Sequence, residues 1–104
     1  MSVRTNLNPE QILAELKRLE PSLRAKGVTH LAIFGSRSRG DARVDSDLDV
    51  MVDVDTSLPN PLYVVFDTQH IVSDALGIET QATIRGDLDR RIAERVADDI
   101  VEVF

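Results

Sequence analysis

IFGSRSRGDARVDSDLDVMVDV, residues Ile33–Val54, holds a turn and a strand whose spacing organises the chain around them. Gly35-Ser36 opens a turn after an apolar run, ten residues intervene, and Asp47 and Asp49 then stand at the start of a second apolar run. From Asp47 to Val54 acidic and apolar positions alternate. Asp47, Asp49, Met51 and Asp53 share one side, and Leu48, Val50, Val52 and Val54 share the other. A period of two predicts a strand with one packed face. Gly35 allows a tight turn and close approach of backbone amides to a ligand. Ser36 is placed to cap a short helical turn reaching about Asp41, or to donate its hydroxyl to a phosphate oxygen. Asp47 and Asp49 would repel each other in open solvent, and a divalent cation bridging them to phosphate oxygens reverses that penalty. A Gly-Ser pair alone also marks ordinary strand–helix turns, and an acidic strand face can be a merely solvated one. The fixed spacing of the two pieces favours the ligand-binding reading.

Upstream, Asn8 is a helix cap, Pro9 suits the first helical position and Gln11 completes a capping box. Ile12, Leu16, Leu19 and Leu23 follow at helical spacing, widened by Leu13, with Pro21 bending or ending the helix. Gly27 separates this helix from a buried strand, Val28 to Phe34. Downstream, Asn60 and Pro61 start a third helix carried by Leu62, Val65, Phe66, Val72 and Leu76, with Gly77 as its stop. Ile78 to Ile84 is a polar, edge-type strand. Leu88, Ile92, Val96 and Ile100 lie four apart and predict a final helix from about Asp87 almost to Phe104. Mixed strands with covering helices make a minimal α/β (α+β) layer, a small mixed sheet covered by helices, in one domain spanning residues 1–104.

Composition narrows the function classes. There is no cysteine, so a disulfide framework and a thiolate metal site are both excluded. The net charge of −6 and pI near 4.7 disfavour a broad nucleic-acid footprint, so no direct nucleic-acid binding is expected. No apolar stretch approaches membrane-spanning length and the N-terminus lacks signal-peptide features, which predicts a cytoplasmic protein without membrane association. Acidic character also permits association with a more basic protein partner.

Other residues carry plainer readings. Arg37 is either a phosphate contact or a surface ion pair. Arg39, beside the flexible Gly40, is favoured as a nucleotide contact. Asp45 stabilises the loop before the strand, Asp41 caps or pairs with Arg43, and Asp53 is solvated. Met51 borders the site, Phe34 and Phe66 are core residues, and Phe104 covers the core edge or enters a partner interface. His30 is a packed or edge imidazole and His70 faces solvent; neither forms a triad.

Gly35-Ser36-Arg37-Ser38-Arg39-Gly40 followed by Asp45-Ser46-Asp47-Leu48-Asp49 resembles the minimal nucleotidyltransferase (MNT) family of the polymerase-beta-like superfamily, and the likeness extends over nearly the whole chain. The resemblance implies Mg²⁺-dependent transfer of a nucleotide from a triphosphate, with ATP as donor. Gly35 and Ser36 correspond to the donor-phosphate turn, and Asp47 and Asp49 to the first two metal ligands. Some small members are antitoxins that pair with a helical HEPN ribonuclease toxin and AMPylate it, which implies a HEPN-type partner here, alongside the possibility of a homo-oligomer. The family's third carboxylate lies in the strand after the middle helix, where this chain has Thr80-Gln81-Ala82-Thr83. Gln81 is the match, and its neutral amide is a poor general base or bridging metal ligand. Glu79 shares its strand parity and is the one nearby acid that would replace it. Two expectations therefore compete: an active protein adenylyltransferase, and an antitoxin of weak or absent transfer that works by binding its partner.

Overall fold

Asn8 accepts from the Gln11 amide at 2.8 Å while the Gln11 side chain accepts from the Asn8 amide at 2.9 Å, so the capping box forms as the residue types dictate. It starts α1, Pro9–Arg18, in a computed structural model that describes residues 7–104. The N-terminal residues read for a signal peptide lie partly outside that range. Pro21 ends α1 early: the chain turns at Leu19 and restarts as α2, Glu20–Ala25, with Pro21 in its first turn. Ile12, Leu16 and Leu23 from these two helices are fully buried.

The sheet has four strands in the order β3-β2-β1-β4. β1, Val28–Phe34, runs antiparallel to β2, Leu48–Val54, and α3, Ser36–Arg39, lies between them in sequence. α4, Pro61–Leu76, then crosses back so that β3, Thr80–Ile84, lies parallel to β2. A parallel pair needs such a crossover, and the Asn60 cap and left-handed Gly77 define its ends as expected. The Asn60 side chain accepts from the Leu62 amide at 3.0 Å. This is the small mixed α+β sheet anticipated from the sequence.

The two sheet faces are covered differently. Leu31, Ile33, Leu48, Val50 and Val52 pack with α1, α2 and α4 into the main core. On the reverse, Ala32, Phe34 and Met51 form a smaller cluster covered by Leu88, Val96 and Ile100. Phe34 is thus buried as expected.

Two expectations fail. Phe66 is 54% exposed and Leu62 57% exposed, so neither is a core residue. α4 buries the row Val64, Thr68, Val72 and Leu76, offset from the predicted stripe, and Thr68 satisfies its hydroxyl on the Val64 carbonyl at 2.7 Å. The N-terminal half of α4 is apolar on both rows, so periodicity alone did not say which one meets the sheet. The final helix is also much shorter than predicted. α5 is Arg90–Val96, a 3₁₀ turn covers Ala97–Asp99, and Val101–Glu102 forms β4 against the free edge of β1. Alternating Val101-Glu102-Val103 suits strand pairing, and the Val103 amide donates to the Leu31 carbonyl at 2.8 Å. No helix among the described residues is long and apolar enough to cross a membrane.

Candidate active site

Gly35 adopts φ +77°, and a Cβ placed there would lie 2.5 Å from Asp49 Oδ2. Only glycine meets both conditions, the left-handed backbone and the close approach of a carboxylate. The turn therefore sits against the second acid of the Asp-x-Asp pair, as its spacing implied. Ser36 follows as the first residue of α3.

Strand pairing arranges the rest. Phe34 opposes Asp49 across β1–β2, and Asp49 opposes Gln81 across β2–β3, so the three residues form one row on the sheet. Asp47 is exposed just before β2, and Asp49 is half-buried. Burial first, and then the charge of Asp47, push the Asp49 carboxyl above its ordinary value. Proximity of the two acids is thus visible in their electrostatics. Met51 lies two residues further along the same face and is fully buried in the small cluster under Leu88, Val96 and Ile100.

The third carboxylate is absent. Gln81 is exposed at the position beside Asp49 that the resemblance assigned to it. Glu79 precedes β3, and its carbonyl accepts from the Leu48 amide at 2.8 Å. Among the described residues no group of three His, Cys, Asp or Glu side chains could hold a metal, so Glu79 does not complete a triad with Asp47 and Asp49. Asp47 and Asp49 would be the residues to hold a Mg²⁺, an ion commonly bound by one or two carboxylates together with substrate phosphates. This donor set does not fit an arrangement that needs three acids.

The arginines behave differently from their sequence readings. Arg37 is not displayed to solvent. It is 3% exposed, and its guanidinium donates to the Ser46 carbonyl at 2.8 and 3.1 Å and to the Val44 carbonyl at 3.3 Å. It thereby clamps the loop that delivers Asp47. Ser46 closes the same loop, accepting from the Arg43 amide at 2.9 Å through its side chain, a role the sequence reading had given to Asp45. Neither contact left a signal in the sequence, because an arginine between two serines looks like a solvent residue. Arg39 pairs with Asp41 at 3.1 Å and with Asp99 at 2.8 Å, which raises its pKa through those hydrogen bonds. Ser38 also donates to the Asp99 carbonyl, so the C-terminal segment is tied to α3. Asp53 is not merely solvated: it lies 3.6 Å from His30 Nδ1 and 4.0 Å from Arg85, and Arg85 binds Glu102 at 2.9 Å.

Residues 10–101 match the Nucleotidyltransferase domain family. The chain belongs to that family. It is 31% identical over 98 residues to the protein adenylyltransferase MntA of Thermococcus cleftensis, covering 93% of this chain and 97% of that protein. Its fold matches a solved minimal nucleotidyltransferase with a TM-score of 0.75 at 24% identity, over 91% of this chain and 95% of the other. A complex of the tri-AMPylated HEPN toxin of Shewanella oneidensis with its MNT antitoxin matches with a TM-score of 0.60 at 15% identity, over 88% of this chain and 71% of that one. The MNT resemblance drawn from Gly35-Ser36 and Asp47/Asp49 is therefore correct at the level of family and fold.

Proposed function

We propose that this nucleotidyltransferase-family chain is an antitoxin that neutralises a HEPN-type ribonuclease toxin by binding it, with nucleotidyl transfer weak or absent. The observation that carries the reading is Gln81 standing beside Asp49 where a general base would be needed. An amide cannot accept the acceptor hydroxyl's proton, and loss of that role harms turnover far more than donor binding. Asp47 and Asp49 remain for one Mg²⁺, with Gly35 and Ser36 forming the turn against the ATP phosphates. Arg39 would have to leave Asp99 and Asp41 to join them. Support for the partner comes from the MNT antitoxin of similar fold that is complexed with a HEPN toxin.

A second reading, AMP transfer to a hydroxyl of that partner, is favoured by the 31% identical relative named as a protein adenylyltransferase. Co-expression with a HEPN-type toxin separates the two. Binding without transfer predicts that the wild type and Asp47→Asn/Asp49→Asn rescue growth equally, with no AMP adduct on the partner by mass spectrometry. An adduct that disappears in the double variant would establish the second reading.

A further inference from the structure

α4 presents an apolar face that stays exposed among the described residues. Leu62 is 57%, Tyr63 68% and Phe66 54% exposed, on adjoining positions of its first two turns. One turn further on the same row come His70 and then Asp74, both exposed. The buried row, Val64 to Leu76, already satisfies the sheet, so these three side chains do not serve the core. Aromatic and leucine side chains clustered in this way mark interaction surfaces rather than random exposure.

Charge says what kind of surface would cover it. Asp47, Asp49 and Asp53 belong to the opposite side of the sheet, so the charge beside this face is that of α4 itself. α4 itself carries Asp67 and Asp74 and no lysine or arginine, and β3 beside it is preceded by Glu79. A second copy of the chain meeting this face isologously would bring one acidic helix against another, with no lysine or arginine on either α4 to offset the charge. A cationic protein face gains from the same arrangement in encounter rate and in register.

We infer that the N-terminal half of α4 is the docking surface for a protein partner presenting an apolar pocket rimmed by lysine or arginine. Tyr63 and Phe66 are the anchors, and the acids of α4 meet the basic rim. The inference takes the HEPN-type partner of the preceding reading as occupant and rests on it.

The test uses the full chain and a purified HEPN-type toxin, with affinity measured by calorimetry at several salt concentrations. Leu62→Ser/Tyr63→Ser/Phe66→Ser should weaken binding by at least ~30-fold, as loss of central aromatic anchors does. Its circular dichroism should stay unchanged because the side chains are exposed. Asp67→Asn/Asp74→Asn should slow association and flatten the salt dependence. Tyr63→Ser alone, expected to lose about 10-fold, guards against misfolding of the triple variant. Equal affinity of wild type and both serine variants overturns the docking face and leaves the partner reading intact. Failure of the wild type to bind overturns the partner reading and the surface with it. Self-association of the wild type, abolished in the triple variant, gives the face to a second copy and also overturns the inference. So does protection of the Leu62–Phe66 amides in the isolated chain that vanishes when residues 1–6 are removed.

Discussion

Gln81 lies directly opposite Asp49 in the parallel pair of β2 and β3, one strand away from the carboxylate that touches the Gly35 turn. Everything acidic in the site is therefore on β2 or just before it, and the neighbouring strand contributes only an amide. Gln81→Asp should restore the missing group in place. Transfer of AMP to the partner should rise roughly 10²-fold, the usual contribution of a positioned proton acceptor. Mass spectrometry of the partner reads the result, and an unchanged adduct level would show that an acid at position 81 does not govern transfer.

Gly35→Ala tests the contact at the turn. The new methyl would meet Asp49 Oδ2 at 2.5 Å on a backbone of φ +77°. Steric strain and the left-handed backbone together should destabilise the chain by about 2 kcal/mol or more. Urea denaturation measures that loss. Mg-ATP affinity should fall as well, because Asp49 has to move to make room.

Asp49→Asn should change the pH dependence of stability in a defined direction. The folded-state pKa of Asp49 is raised, by burial and then by Asp47. The folded chain thus holds this proton more tightly than the unfolded chain. That stabilisation is fully present below the unfolded aspartate pKa and is lost as the pH rises through the folded one. In metal-free buffer at neutral pH the variant should consequently melt slightly higher than the wild type, and the gap should close in acid. Asp49 is only partly buried, which keeps the gap small. Adding Mg-ATP should reverse the order by stabilising the wild type alone. Thermal melts across pH, with and without Mg-ATP, decide it.

Arg37→Met should loosen the approach to Asp47. The substitution removes buried donors and strands the carbonyls of Val44 and Ser46. A loss of about 2–3 kcal/mol is expected. Arg37→Lys should recover only part of it, since an ammonium does not reproduce the planar fork. Hydrogen exchange should accelerate in residues 41–47 of Arg37→Met while α1 stays protected. Uniform acceleration would make Arg37 a general core residue rather than a clamp on this loop.

What could be read from the sequence was local. The Asn8–Gln11 box, the Gly35 turn, the alternation from Asp47 and the Asn60 and Gly77 ends of α4 each depend on a few neighbouring residues, and each formed as expected. The position of Gln81 followed from the resemblance, and strand pairing placed it beside Asp49. Phe66 went astray because α4 offers two apolar rows at its start, and only docking on the sheet chooses between them. The last helix was overread for a related reason. Leu88, Val96 and Ile100 do face one cluster, but the open edge of β1 draws Val101–Glu102 into a strand. Arg37 and the Arg39–Asp99 pair were out of reach altogether, because they join residues whose proximity only the folded chain creates.

The Gln69 side chain on α4 accepts a hydrogen bond from the Ala82 amide of β3 at 2.9 Å, on the sheet's outermost strand. A helix glutamine thus occupies a main-chain donor that would otherwise await another polypeptide. Removing it by Gln69→Ala would leave the hydrophobic packing untouched while exposing a template for strand addition. The damage would emerge as concentration-dependent precipitation, well below the temperature at which the chain melts.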